Sequence, residues 1–394
     1  MEILFITHKY PPSIGGMEKQ SFELIKGMKK HAVAHMLCCE GNASKLRFFW
    51  RLKKNIREKL RQYPGISILH FNDGLAAAFC SGKNDFPDLI RSVTLHGLDV
   101  VFPNALFQSK ILPRFRHFQS IIAVSRATAQ ACIERGLNRN LITVILNGVD
   151  HEVAFYEPNA AARQQFLDQY QPILQVQPLL VLMGRPVLRK GFSWFLKSVF
   201  PALPNDYQVI IIGPFREKRP FSAALLHLLP PEFRKQLELM FGMPSDEDTL
   251  RELLQQPSLQ GRVKHLGKLP FTDIMQIMSA AKAFIMPNIP VEGDMEGFGL
   301  VCLEANLRGI PVFAANLEGI TDAVQDQKNG WLIEPQDTAA WVEALSLLQR
   351  DPAFVRSFGA QARQYVLENF GWEKMTAAYY SHFKILISDK ADKI

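Results

Sequence analysis

Twelve short apolar runs, each separated from the next by a polar or helix-forming stretch, constrain this chain more than any single motif does. Runs at 2–7, 33–38, 66–70, 91–95, 119–124 and 141–145 form a first series. Runs at 179–184, 207–212, 262–266, 283–286, 310–313 and 330–333 form a second. Strands that read as nearly continuous apolar segments are buried on both faces, and strands alternating with helices build parallel sheets. The pattern therefore predicts an α/β protein of two successive doubly wound units. At 394 residues the chain is long enough for each unit to have its own core. Residues 151–176 are polar, helix-prone and punctuated by Pro158 and Pro172, which reads as a linker, so the boundary is expected near 165. Ligands of such sheets sit beyond the carboxyl ends of the strands, and the cleft shared by two units is the expected location. One crossover is oversized. Gly213 to Arg262 holds about twice what a strand–helix–strand connection needs and is expected to carry two additional short helices.

Composition narrows the class. Apolar residues make up 47% and charged residues 21% of the chain, as in ordinary globular proteins. The opening MEILFITHKYPP has an apolar run of only four residues and no basic leader, so it is expected to be a buried strand rather than a signal peptide. No stretch is long and apolar enough to predict a membrane span. The five cysteines show no metal spacing and suit a reduced cytoplasmic protein, with Cys38 and Cys39 expected as core residues at a strand end. Charge is unevenly distributed: residues 1–150 carry 21 Lys and Arg against 11 Asp and Glu, whereas residues 151–394 carry 24 against 27. A basic first half suggests an anionic partner.

Four loops hold residue types suited to chemistry. Pro11-Pro12-Ser13-Ile14-Gly15-Gly16 follows the first run; bare glycine backbone at a helix start can approach a diphosphate, or simply make a tight turn. Gly184-Arg185-Pro186-Val187-Leu188-Arg189-Lys190-Gly191 follows the first run of the second series. Arg185 offers a planar fork and Lys190 a point charge for phosphate oxygens, whereas Arg189 reads as a solvated neighbour; a solvated basic loop is the alternative for all three. His96, in Leu95-His96-Gly97-Leu98-Asp99, ends a strand and is either structural or a donor to a sugar hydroxyl. Glu296-Gly297-Phe298-Gly299-Leu300, with Glu304 beyond, predicts a helix beginning near Gly299 with Glu304 about one and a half turns inside it. Amides at that helix start favour a phosphate, and carboxylates beside it suit sugar or ribose hydroxyls.

Together these loops, with Asn147-Gly148-Val149-Asp150, Val124 to Thr128, Asn329 to Pro335 and Phe370-Gly371-Trp372-Glu373, resemble family 4 retaining glycosyltransferases of the GT-B fold over nearly the whole chain. The resemblance implies an acceptor-side domain at 1–165, a nucleotide-sugar-binding domain at 166–372, and a terminal helix, 373–394, that returns to the first domain across an interdomain cleft. It further implies that Gly15 and Gly16 offer amides to the donor phosphate and that Arg185 and Lys190 hold the diphosphate. Glu304 would accept from the ribose, and Glu296 with the amides of Gly297, Phe298, Gly299 and Leu300 would hold the transferred sugar. His96 would contact the sugar, and Gly267, Lys268 and Leu269 would flank the base.

The expected reaction moves a sugar from a UDP- or GDP-linked donor to a saccharide or lipid-linked acceptor of the cell envelope. It proceeds by front-face displacement with retention, because both glutamates are occupied by donor hydroxyls. Asp294-Met295-Glu296 superficially resembles an Asp-x-Asp metal motif, but with Arg185 and Lys190 supplying positive charge neither metal nor other cofactor is expected. A silent scaffold of the same fold, and an epimerase or hydrolase, are the alternatives. Ile212-Gly213-Pro214-Phe215 departs from the family's Gly-x-Gly-Pro, which leaves base selectivity open.

Residues 45–61 hold eight Lys and Arg against the single Glu58, with apolar residues at helical spacing. Such a segment is either an ordinary domain helix or a helix lying on an anionic membrane through Phe48, Phe49, Trp50, Arg51, Lys53, Lys54 and Arg57, which would make the cytoplasmic protein peripheral to the membrane. No nucleic-acid-binding module is recognisable.

Overall fold

The computed structural model describes residues 1–13, 15–39, 44–174, 178–215 and 245–392. They form two compact units, Met1–Val149 together with Phe370–Ile394, and Asp150–Asn369. The described part of the predicted linker, residues 151–174, carries helices Glu152–Phe155 and Ala160–Leu174 and belongs to the second unit. The expected helical insertion falls largely on 216–244, outside the described residues.

All twelve predicted runs form strands. In the first unit β1 (Glu2–Thr7), β2 (Val33–Cys38), β3 (Ile66–Phe71), β4 (Ile90–Leu95), β5 (Ser120–Ala123) and β6 (Ile142–Val144) make one parallel sheet in the order β2-β1-β3-β4-β5-β6. In the second unit β7 (Leu179–Met183), β8 (Gln208–Ile212), β9 (Val263–Gly267), β10 (Ala283–Met286), β11 (Val312–Ala315) and β12 (Gly330–Ile333) take the order β12-β11-β10-β7-β8-β9. Central strands are apolar throughout because helices cover both faces: Ile3 to Ile6 of β1 and Leu179 to Leu182 of β7 are fully buried. Edge strand β2 is only half-buried, so Cys38 and Cys39 are half-buried rather than core residues.

The helices follow from their caps and stripes. Helix Lys45–Gln62 starts at Ser44, whose hydroxyl accepts from the Arg47 amide, and buries Phe48, Leu52 and Ile56, one turn apart. The terminal helix Trp372–Ala391 packs on helix Gly16–Met28 within the first unit. Its Tyr379 is fully buried, with the hydroxyl 2.9 Å from Thr94 Oγ1 and accepting from Gln20 Nε2 at 3.2 Å. Thr94 in turn contacts His70 Nε2 at 3.1 Å, and burial drops the His70 imidazole to about 3, so it is neutral.

Candidate active site

In the second sheet the strand order reverses between β7 and β10, which lie side by side. The loops leaving their carboxyl ends therefore diverge to opposite faces and open a crevice, the place where doubly wound sheets bind ligands. The loop after β7 runs through a turn at Leu188–Lys190 to Gly191, and the loop after β10 runs from Pro287 to Gly299. Gly191 has φ +65°, and a Cβ there would stand 2.0 Å from the Pro287 carbonyl oxygen, so only glycine lets the loops meet. The Ile289 amide donates to the Arg189 carbonyl at 2.9 Å and locks them together.

This junction holds a polar cluster. Lys190 Nζ donates to Glu296 Oε2 at 2.6 Å, and Asn288 Nδ2 donates to the same oxygen at 3.3 Å. Arg189 lies 3.4 Å from Glu296 Oε2 through Nε and 3.1 Å from Asp294 Oδ2. Arg189, expected as a solvated loop residue, is thus a half-buried member of the cluster, with its side chain only 19% exposed. Asp294 is likewise engaged, accepting from Arg189 and from the Met295 amide. Burial alone would raise the Glu296 carboxyl, but Lys190 and Arg189 overcome it and hold the group down at about 2. Two donors, Lys190 and Asn288, and the nearby Arg189 charge converge on Oε2, which leaves Oε1 as the oxygen able to accept from a hydroxyl.

A second strand end supports this loop. Glu318, just beyond β11, accepts from the Glu296 amide at 2.6 Å, and the Gly319 amide donates to the Glu296 carbonyl at 3.1 Å. A Cβ at Gly319 would stand 2.1 Å from the Gly297 carbonyl oxygen, so the approach again requires glycine. Burial, with the neighbouring Glu296 charge adding, pushes the Glu318 carboxyl up to about 7.

Helix Leu300–Leu307 begins directly after this loop, capped at Gly299, which matches the predicted start. Glu304 lies half-buried within it, and the Phe298 side chain is buried, leaving its main chain as the part able to meet a ligand. Arg185 is exposed at the end of β7, beside Gly213 at the end of β8. The Gly213 amide donates to the Gly267 carbonyl at 2.8 Å, so Gly267, Lys268 and Leu269 continue the same row of strand ends at β9. The structure thus brings Lys190 and Glu296 into direct contact and sets Arg185, Gly299 and the 267–269 segment along one edge of one sheet.

The first unit has its own reversal, between β1 and β3. At this point His8 Nδ1 lies 2.9 Å from Asp73 Oδ1, and the His8 amide donates to Asp73 Oδ2. Neither residue stood out in the sequence, although both follow adjacent central strands. Burial would raise Asp73, but its bonds to His8 and to the Ala76 amide lower it. Gly15 caps helix Gly16–Met28, and Glu18 of its first turn pairs with Lys9 at 3.4 Å. His96 is half-buried with Nε2 2.8 Å from the Asn72 carbonyl oxygen. A carbonyl only accepts, so Nε2 carries the proton. Nδ1 is then the ring nitrogen left to meet a ligand hydroxyl. Asp99 holds the loop, accepting from the His96 and Gly74 amides.

The basic helix Lys45–Gln62 resolves into two faces. Phe48 is buried and belongs to the domain interior, whereas Phe49 is half-buried and stacks on the exposed Phe79 at 4.7 Å. Lys53 is tied to Asp85 at 2.8 Å, Lys54 lies 3.8 Å from Glu58, and Arg57 lies over the Phe86 ring at 5.8 Å. Leu46 and Trp50, one turn apart, are 84% and 86% exposed. Among the described residues no helix is long and apolar enough to cross a membrane, and no cluster of three metal-ligating side chains occurs.

Sheet order, the β7–β10 crevice and its phosphate-suited edge define a glycosyltransferase of GT-B architecture. The chain belongs to the glycosyl transferases group 1 family, whose model matches residues 164–365; residues 14–153 match the model for glycosyltransferase family 4. HepE of Anabaena, solved in complex with UDP, superposes with a TM-score of 0.71 at 18% identity, covering 98% of this chain and 100% of that one. N-acetyl-alpha-D-glucosaminyl L-malate synthase of Bacillus anthracis is 23% identical over 360 residues, 85% of this chain and 79% of that protein. A GDP-mannose-dependent phosphatidylinositol monomannoside mannosyltransferase of Corynebacterium glutamicum is 35% identical over 203 residues, which span 50% of this chain and 45% of that enzyme.

Proposed function

We propose that this protein transfers one sugar from a nucleotide-diphosphate donor to a saccharide or lipid-linked acceptor in envelope glycan synthesis, with retention of configuration and without a metal ion. The observation that carries the reading is the Lys190–Glu296 contact at the β7–β10 reversal, directly before the start of helix Leu300–Leu307. In this reading Arg185 and the helix-start amides hold the diphosphate and stabilise the charge that develops as the glycosidic bond breaks. Glu296 Oε1 and the amides of residues 297–300 hold the sugar, Glu304 the ribose, and 267–269 the base. Gly15 and Gly16 serve the donor phosphate, and His96 contacts the transferred sugar. Asp294 and Glu296 are both paired with cations, which favours a hydroxyl-binding and structural role over metal ligation. With Glu296 and Glu304 both occupied by donor hydroxyls, neither is left to act as a nucleophile, which supports front-face displacement. The names of the relatives support envelope and lipid-linked glycans as acceptors and both UDP and GDP as donor nucleotides. A thermal-shift screen of UDP- and GDP-sugars tests the donor class, since a ligand at 100 times its dissociation constant adds about 2.7 kcal/mol. Product analysis by anomeric NMR, with and without a chelator, then tests retention and metal independence.

A membrane-facing role for the first unit rests on a specific observation: Leu46 and Trp50 stand in solvent on the same helix face as Arg47, Lys54 and Arg61. An apolar pair ringed by cations suits an anionic lipid surface. Co-sedimentation with vesicles containing anionic lipid, lost in L46E/W50E, supports it; equal sedimentation with neutral vesicles counts against it.

A further inference from the structure

We propose that Glu318 is a positioning residue that holds Glu296 and its following amides in the geometry needed to grip the transferred sugar. The proposal rests on the reading above for what Glu296 binds. Glu318 and Gly319 bracket a single peptide: the Glu318 carboxylate accepts from the Glu296 amide at 2.6 Å, and the Gly319 amide donates to the Glu296 carbonyl at 3.1 Å. Residues 22 apart in sequence are thereby clasped like two rungs of a ladder at the mouth of the crevice. Glu318 does this from φ +50°, a left-handed conformation that side chains with a Cβ rarely adopt and that glycine adopts freely. Packing alone would favour glycine here. The carboxylate is present at a conformational cost, and the atom it reaches is the amide of the cluster's central residue. Lys190, Arg189 and Asn288 fix Glu296 from the side-chain end; Glu318 fixes it from the main-chain end. The charged groups facing Glu318 are Glu296 and Asp294, which oppose its ionisation, and Arg189, which favours it. Burial, more than these charges, pushes the carboxyl up to about 7. The charge-assisted hydrogen bond therefore strengthens as pH rises through that range.

The test uses the full-length protein and the variants E318G, E318Q and E296A. Glycine suits φ +50°, so E318G is expected to fold; E318Q keeps an acceptor oxygen without the charge. The first readout needs no ligand: amide exchange over residues 294–300 should be about tenfold faster in E318G than in wild type and intermediate in E318Q, since a tenfold change corresponds to the loss of about one such bond. Unchanged exchange in E318G overturns the proposal. The second readout compares UDP with UDP-glucose, and GDP with GDP-mannose, by calorimetry. E318G should weaken the sugar nucleotide that binds about tenfold while changing the bare nucleotide less than about twofold. Equal weakening of both overturns the positioning role. In wild type, sugar-nucleotide affinity should rise as pH passes through about 7, and E318Q should lack that step. E296A keeps the readings apart: if it binds sugar nucleotides like wild type, the assignment of Glu296 fails, and the exchange measurement still decides whether Glu318 holds the loop.

Discussion

Lys190 Nζ lies 2.6 Å from Glu296 Oε2, with the two side chains only 11% and 13% exposed. A pair so far out of water attracts strongly, but its members are costly to leave alone. K190A removes the main counter-charge and leaves Glu296 with Arg189 only, so a loss of about 3 kcal/mol is expected in urea denaturation. The double variant K190A/E296A should recover a large part of that loss, because the uncompensated carboxylate is gone as well. A simple surface pair would instead show two small, additive losses.

The strands were legible because burial on both faces writes itself as continuous apolar runs; Ile3 to Ile6 and Leu179 to Leu182 need no partner to be recognised. The helix start at Gly299 was legible for the same local reason. What the string hides is which of several like residues turns inward. Arg185, Arg189 and Lys190 are three cations in one loop. Only the tight turn at Leu188–Lys190 and the close approach at Gly191 send Arg189 to Asp294 and Glu296 and leave Arg185 in solvent. Glu318 was invisible because its partner is a backbone amide 22 residues away, and main-chain partners leave no trace in periodicity. His8 and Asp73 had a usable signal, since both end neighbouring central strands, but a lone histidine after a strand is ordinary without knowledge of which strands pair.

Glu318 also shapes stability against pH. Its carboxyl is raised from the ordinary 4.5 to about 7 in the fold, so the folded state binds the proton more tightly than the unfolded chain does. The resulting stabilisation is full below about 4.5 and is lost as pH rises through 7. E318Q cannot titrate. Between pH 5 and 8 wild type should lose roughly 2 kcal/mol relative to E318Q, allowing for partial solvent contact. Melting temperatures of both proteins across that range check it. Glu296 has the opposite sign: held at about 2, it contributes stability present above about 4.5 and lost as pH falls towards 2, which E296Q should remove.

Tyr379 should behave as an anchor for the terminal helix. Its hydroxyl meets Thr94 at 2.9 Å and Gln20 at 3.2 Å, inside a fully buried ring of His70 and Phe383. Y379F keeps the ring but leaves the Gln20 and Thr94 groups with fewer partners in a dry interior. A loss of about 1–3 kcal/mol is expected from the desolvated polar groups. Denaturant midpoints should fall without a change in slope, since the exposed area on unfolding is the same.

Arg185 and Glu304 separate the diphosphate from the ribose. Arg185 is exposed at the end of β7, so R185A should change stability by less than about 0.5 kcal/mol. If its fork meets the leaving diphosphate, where charge builds as the bond breaks, turnover should fall about 10²- to 10³-fold. R185K should recover only part of this, because an ammonium supplies the charge without the bidentate geometry. Glu304, half-buried in the helix that begins at Leu300, should act in the ground state as well as in the transition state. E304A is then expected to raise KM for the donor about tenfold with kcat nearly unchanged, the signature of lost uniform binding. Steady-state kinetics on both variants with one sugar nucleotide decide the point. Loss confined to KM in R185A, or to kcat in E304A, would reverse the two assignments.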